Sequence, residues 1–500
     1  MNLRMISTLL GKILLIELIT LAPPTAISLY HQETEAVKAF VMTMIILAVV
    51  GFLLCSTKPK VRAFYAAEGF VVTALSWLVI SLFGALPFYL SGAITNPVDA
   101  FFEVVSGFTT TGASILSDVE ILPMGLLYWR SFTHWLGGMG VLVFLLAITS
   151  FGGGEGHSLH LLRAESPGPD VGKITPKLRQ GALTLYVIYI ALSIIEVILL
   201  LCGGMPLFDS LCTMFGTAGT GGFSIKNASM AAYPSAYLQN VVTIFMALFG
   251  VNFSIFFLLF MRDFSQVLHD EELRCYLGIM VSSVVLIAFN IYSQYQSWSQ
   301  AFHHAAFQVS SIMTTTGYAT ADFNAWPEFS RTILIILMFI GASAGSTGGG
   351  MKVSRLLICF KSAAKEISRM LHPKAVRVIR MSRKTLDTRV IRGVNVFMTV
   401  YFFTAAISFL VISLDNFGMI TNFTAVVSCL NNIGPGLELV GPTGNFGGFS
   451  NLSKLVLSLD MLLGRLEFFP LLILFSPSTW RRKKQPTIDA FSLPAIKIVF

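Results

Sequence analysis

The chain has 500 residues, 54% of them hydrophobic and only 12% charged, with a mean hydropathy of +0.74. Soluble domains carry about 25% charged residues, so this composition excludes a string of soluble domains, and its hydrophobicity excludes disorder. A membrane protein gathers its excess positive charge, here +8, on the cytoplasmic face, so the balance is no sign of a nucleic-acid partner.

A membrane-crossing helix needs about 20 apolar residues. Ten segments qualify in chain order: 5–28, 37–56, 66–90, 125–150, 182–203, 236–261, 274–293, 329–358, 394–414 and 454–476. The first follows Arg4 and contains Lys12, so a signal peptide is the rival reading. No clear small-x-small cleavage site follows it, however, and nine further spans come after. With residue 1 inside, the inside loops are 57–65, 151–181, 262–273, 359–393 and 477–500. They hold Lys58, Lys60, Arg62, Arg163, Lys173, Lys177, Arg179, the basic run Lys361 to Arg392, and Arg481 to Lys484. The outside connections hold Lys226, with Arg130, Arg331 and Lys454 at helix starts. This bias obeys the positive-inside rule and puts both termini in the cytoplasm. The six cysteines form no CxxC pair or His/Cys cluster, so neither a zinc site nor a disulfide framework is suggested.

Four outside connections share a pattern: a half-length apolar stretch, then a Thr/Gly-rich turn. They read FFEVVSGFTTTGAS (101–114), LFDSLCTMFGTAGTGGFS (207–224), AAFQVSSIMTTTGYA (305–319) and NFTAVVSCLNNIGPG (422–436). The aligned glycines are Gly112, Gly222, Gly317 and Gly434, and three have Ser six residues earlier (Ser106, Ser311, Ser428), where the second has Gly216. Such self-similarity marks a repeat architecture. The expected fold is an all-α polytopic membrane protein of four helix–pore loop–helix repeats plus an N-terminal helix pair. Its divisions are 1–60 (helix pair), 61–165, 166–270, 271–392 and 393–500 (repeats one to four).

Half-helices of about 10 to 12 residues cannot cross a bilayer and are expected to be re-entrant. Irregular backbone at membrane depth survives only inside protein or beside a water-filled cavity. Four such turns can ring one axis, each aiming a negative helix C-terminus and carbonyls that replace an alkali ion's water shell. The turns contain no carboxylate, which disfavours a calcium site. One Thr-Thr-Gly alone reads as a tight turn; four aligned copies on one side point to a monovalent cation pore.

At these residues the sequence resembles the Trk/Ktr/HKT potassium transporter superfamily, in particular its TrkH-like subunits, over nearly the whole chain. TTTGA (109–113), TGGFS (220–224), TTTGY (314–318) and NNIGPG (431–436) match the family's filter pattern, as do RSFTHWLGGMG (130–140) and GRLEFFPLL (464–472). The helix pair at 5–56 fits TrkH-like subunits better than shorter members. The second and fourth turns depart from a symmetrical Thr-x-Gly-Tyr pattern. The resemblance implies K⁺ (with Na⁺ or Rb⁺ as further cargo) bound by Thr110, Thr111, Gly112, Thr220, Gly221, Gly222, Thr315, Thr316, Gly317, Asn432, Ile433 and Gly434. It also implies a homodimer in the bacterial cytoplasmic membrane, controlled by a soluble RCK-domain subunit that binds nucleotide.

GASAGSTGGGMK (341–352) interrupts the span 329–358. Each interior Gly disfavours helix by about 1 kcal/mol, so the stretch is expected to unwind. One reading is an intramembrane gate beneath the filter, its role in the family, built around Gly345, Gly348, Gly349, Gly350 and Lys352. The other is close helix packing through small residues. A phosphate loop fails because Met351 stands where Lys is required. Arg465, inside an apolar span, is a functional residue by default. It points either at the pore axis below the filter, slowing cations, or into a salt bridge with another helix or with Glu467. Glu103 and Glu196 read either as cation attractors or proton carriers, or as residues hydrogen-bonded to neighbouring helices. His134, His303 and His304 are expected at the outer interface. The basic run 361–392 suits anionic lipid, the regulatory subunit or simple topology.

Two transport readings therefore stand beside an enzyme. A channel-like potassium uptake subunit is favoured. The alternative is a secondary transporter coupling K⁺ or Na⁺ to protons, but such machines often use inverted repeats and these repeats all begin inside. An enzyme would need clustered nucleophile, base or metal ligands, and none is present. Substituting Gly112 should weaken ion discrimination more than substituting Gly11 in the first helix.

Overall fold

The computed structural model describes residues 1–57, 66–140, 178–374, 377–382 and 384–480. Lys58, Lys60, Arg62, Arg163, Lys173, Lys177, Arg383, Arg481 to Lys484, the 141–150 end of the fourth span and the divisions at 60/61 and 165/166 lie outside them. The described residues are helical apart from turns and one short hairpin, Arg380–Met381 with Lys384–Thr385.

Among the described residues, six helices are long and apolar enough to cross a membrane: Leu3–Tyr30, Thr34–Ser56, Glu68–Leu90, Leu183–Cys202, Glu271–Tyr295 and Thr388–Asp415. Three of the other apolar segments are interrupted. Residues 236–261 form Ala236–Phe249 and Phe253–Phe260, bent by 93°. Residues 329–358 divide into Glu328–Ile340 and Val353–Leu371, and the last segment into Asn451–Arg465 and Phe469–Phe475. Met124–Gly138 ends just before the edge of the described residues.

The N-terminal helices Leu3–Thr20 and Thr34–Ser56 meet through glycine. A Cβ on Gly11 would lie 2.8 Å from both Cys55 Sγ and the Gly51 carbonyl oxygen, the close backbone approach of small-residue membrane packing. Gly11 is thus a tight packing position and a poor neutral control for Gly112.

Between the long helices lie four short ones: Pro97–Phe108, Leu207–Gly219, Trp298–Met313 and Met419–Asn431. The first begins where the Asn96 side chain accepts from Val98 N at 3.0 Å and Pro97 takes the first helical position, both ordinary start signals. The third has 16 residues, longer than the sequence pattern suggests. Its extra turn starts at Trp298, which stacks on Tyr292 at 4.2 Å.

Candidate functional site

All four short helices end in the same way. Thr110, Thr220, Thr315 and Asn432 have φ of 56°, 54°, 61° and 56°. Their N–H groups donate three residues back, to Gly107, Thr217, Ile312 and Cys429. The next N–H groups, of Thr111, Gly221, Thr316 and Ile433, donate five residues back, to the carbonyls of Ser106, Gly216, Ser311 and Ser428 at 2.8–3.0 Å. This is a Schellman cap built four times. A β-branched Thr in the left-handed region is a real outlier, costing about 1–3 kcal/mol at each position. Glycine would adopt that backbone freely, so the side-chain oxygens are what the chain gains by keeping Thr and Asn there.

Two residues later the backbone is left-handed again, with φ of 80° at Gly112, 73° at Gly222, 86° at Gly317 and 98° at Gly434. These glycines close a circuit. A Cβ on Gly112 would overlap the Gly221 carbonyl oxygen, one on Gly222 that of Thr316, and one on Gly317 that of Ile433. A Cβ on Gly434 would come within 2.7 Å of the Thr111 oxygen. Each oxygen belongs to the residue before the next repeat's glycine, so the order runs one, two, three, four and back to one. Only four turns around a common centre meet this condition. The same four glycines line one cavity that opens to solvent. At its rim Glu120 accepts from the Asn227 backbone N–H and the Lys226 ammonium, both at 3.1 Å, and these donors hold its carboxyl below the ordinary value.

The backbone circuit is fourfold, but the side chains at its seams differ. Between turns four and one, Asn432 Nδ2 donates to Thr111 Oγ1 at 2.9 Å. Between two and three, the Tyr318 hydroxyl donates to the Thr213 carbonyl at 3.0 Å. Between three and four, Gly349 N donates to Thr315 Oγ1 at 2.6 Å and Gly350 N to the Asn431 carbonyl at 3.0 Å. Ser311 and Ser428 Oγ each donate at 2.6 Å to their own turns, at the Tyr318 and Gly434 carbonyls. A Cβ on Gly216 would overlap the Tyr318 hydroxyl, which explains why the second repeat has glycine where the others have serine. Gly216→Ser is therefore expected to lower the thermal midpoint in detergent, and Tyr318→Phe in that background to recover part of the loss. A coupling of at least about 1 kcal/mol is expected for groups in such contact; a double variant no more stable than Gly216→Ser would refute it.

Residues 341–352 form a non-helical loop directly against these turns, with positive φ at Gly341, Gly345, Gly350 and Lys352. The loop also fills the 93° bend. Ser343 N donates to the Gly250 carbonyl, Thr347 Oγ1 to the Phe249 carbonyl, and Phe253 N to the Gly345 carbonyl. Groups orphaned at a helix break must find partners at membrane depth, and the loop supplies them. Glu272 holds both ends, accepting from Ala344 N at 2.7 Å and Ser354 N at 3.1 Å. Lys352 Nζ donates to the Gly348 carbonyl.

Arg465 lies between the loop and the first turn. Its guanidinium donates to Thr110 Oγ1 at 3.3 Å, to the Thr347 carbonyl at 2.9 Å, and to the carbonyls of Gly137 and Gly138. It thus caps the helix Met124–Gly138, a favourable place for a cation. Glu467 pairs with Arg355 instead.

Other polar residues stand elsewhere. Glu103 is bound to Arg130 at 2.6 Å and accepts from Ser114 Oγ and Ile115 N, so it is engaged behind the first turn. Glu196 is fully buried beside Thr217. His303 and His304 are half-buried near Gln239 and Thr320. His134 departs from the interfacial expectation: it is completely buried among the turns, because its helix packs against both the first and second short helices. Its role, and those of Tyr318, Asn431 and Glu272, depend on partners distant in sequence, and no local pattern signals them.

The sequence profile of the TrkH family, described as "Cation transport protein", matches residues 35–482. The chain belongs to this family. The Trk system potassium uptake protein TrkH of Salmonella typhimurium is 35% identical over 487 residues, covering 96% of this chain and 100% of that protein. TrkG of Escherichia coli K12, also a Trk system potassium uptake protein, is 31% identical over 96% and 99% of the two chains. The crystal structure of the potassium transporter TrkH from Vibrio parahaemolyticus superposes with a TM-score of 0.85 at 32% identity, over 96% of this chain and 100% of that one. TrkH-family membership and the apolar helices identify an integral membrane transport protein rather than an enzyme.

Proposed function

We propose that this protein takes up K⁺ across the bacterial cytoplasmic membrane, using the four turns as a selectivity filter. The observation that carries the reading is the glycine circuit, in which each left-handed glycine abuts the carbonyl of the next repeat. Backbone and hydroxyl oxygens of Thr110 to Gly112, Thr220 to Gly222, Thr315 to Gly317 and Asn432 to Gly434 replace the hydration shell of a large alkali ion. The names of the relatives agree with potassium as cargo. The absence of any carboxylate from the turns favours conduction over proton symport.

In this reading Gly345, Gly348, Gly349, Gly350 and Lys352 belong to a gate that closes the path beneath the filter, and Arg465 sets a barrier there. The divisions at 60/61, 165/166, 270/271 and 392/393 separate the helix pair and four pore repeats, with both termini cytoplasmic. The chain pairs as a homodimer, each copy holding its own pore. A soluble nucleotide-binding subunit or anionic lipid meets the face after the gate, where Phe360, Ile367, Met370, Leu371 and Arg369 are exposed.

Purified protein in liposomes is expected to pass K⁺ and Rb⁺ better than Na⁺ or Li⁺ under imposed gradients at clamped pH and voltage. Gly112→Ser should reduce that preference at least about tenfold, since a carbonyl ring misplaced by one side chain loses well over 1 kcal/mol of discrimination. Gly278→Ser, with open space around its Cβ position, should leave it unchanged. Equal flux of all four ions in wild type, or unaltered preference in a folded Gly112 variant, would remove the filter assignment.

A further inference from the structure

The second turn lacks the serine that anchors the third and fourth turns from behind, and a histidine from another repeat stands there instead. His134 is 0% exposed. Its Nδ1 lies 2.7 Å from the Gly107 carbonyl in the first short helix, and Phe223 N donates to its Nε2 at 3.1 Å. A carbonyl only accepts and a backbone N–H only donates, so the ring is neutral, with its proton on Nδ1. The imidazole lies against the Phe223 ring, with centroids 4.3 Å apart. Any Cβ on Gly221 would strike the imidazole, and one on Gly219 would overlap the His134 carbonyl. The Arg130 guanidinium sits 3.6 Å from the Phe223 ring centroid.

We infer that His134 is the positioning residue of the second turn and a determinant of ion preference, an inference that rests on the filter reading. The Phe223 N–H shares a planar trans peptide with the Gly222 carbonyl, and in such a unit the two bonds point in opposite directions. Tethering the N–H to His134 therefore aims the Gly222 oxygen away from the imidazole, toward the space that the turns enclose. Gly222 has no side chain to hold its own peptide, and Gly216 offers no hydroxyl. The Tyr318 hydroxyl, 3.4 Å from the Phe223 carbonyl, secures the following peptide. The ligand served is a dehydrated alkali cation of K⁺ size.

The test compares His134→Ala, His134→Asn and His134→Gln in proteoliposomes, reading the K⁺/Na⁺ permeability ratio in the same vesicles. Gln presents an acceptor near the Nε2 position and Asn only a donor near Nδ1. The ratio should fall about fivefold in the Ala variant, the effect of one lost hydrogen bond, stay low with Asn and recover with Gln. An Ala variant with the wild-type ratio, or rescue by Asn but not Gln, would overturn the inference. So would ¹⁵N imidazole spectra of wild-type protein lacking a neutral Nδ1–H signal that disappears in His134→Gln, a readout that stands even if a variant fails to fold. If Gly112→Ser shifts the ratio and His134→Ala does not, only this inference falls. If neither shifts it, the filter reading falls with it.

Discussion

Replacing Arg465 by alanine is expected to raise K⁺ flux by about tenfold or more. A fixed positive charge about 8 Å from a passing cation, at an effective dielectric near 20, opposes it by roughly 2 kcal/mol. The guanidinium also joins the Thr347 carbonyl to Thr110 and the Gly137 and Gly138 carbonyls, so its loss frees the loop from the first turn. Arg465→Lys keeps the charge but not the planar fork of donors, and should give an intermediate flux. Flux measured in liposomes at equal protein density decides the matter; an alanine variant that folds and conducts no faster than wild type rules the barrier out.

The largest loss of stability is expected at Glu103. This carboxylate and Arg130 are 0% and 3% exposed at their side chains. Removing one member of a buried pair costs about 3–5 kcal/mol, because the other charge stays behind unpaired. Glu103→Ala also strips acceptors from Ser114 Oγ and Ile115 N. Its thermal midpoint in detergent should drop by several degrees, whereas Lys226→Ala, from a pair about 40% exposed on each side, should cost under about 1 kcal/mol. Similar midpoints for the two variants would show that the Glu103 pair is not the support described here.

The membrane class and the Thr-Gly turns could be read from composition and repetition, since apolar length and glycine placement are local properties. The unwinding at 341–352 was legible for the same reason, because consecutive glycines disfavour helix wherever they stand. The 93° bend was not. Gly250 and Asn252 are a weak signal by themselves, and what sustains the break is the loop near residue 345 filling the corner. The same distance in sequence hid the pairing of Glu467 with Arg355, 112 residues away, and left Arg465 ambiguous. His134 reads as interfacial when the positive-inside topology starts its helix outside; in the structure that helix packs inward against two short helices.

The loop 341–352 is fastened to Thr315 and Asn431, so the proposed plug shares its bolts with one wall of the proposed filter. Withdrawing the plug in the proposed gating step would release the Thr315 hydroxyl and the Asn431 carbonyl together. Whichever ion gains from that freed oxygen would favour withdrawal, and withdrawal would favour that ion by the same factor, because linkage is reciprocal. Cargo occupancy and opening would then be two readings of one equilibrium, and a change in external K⁺ would act on the plug without any messenger between them.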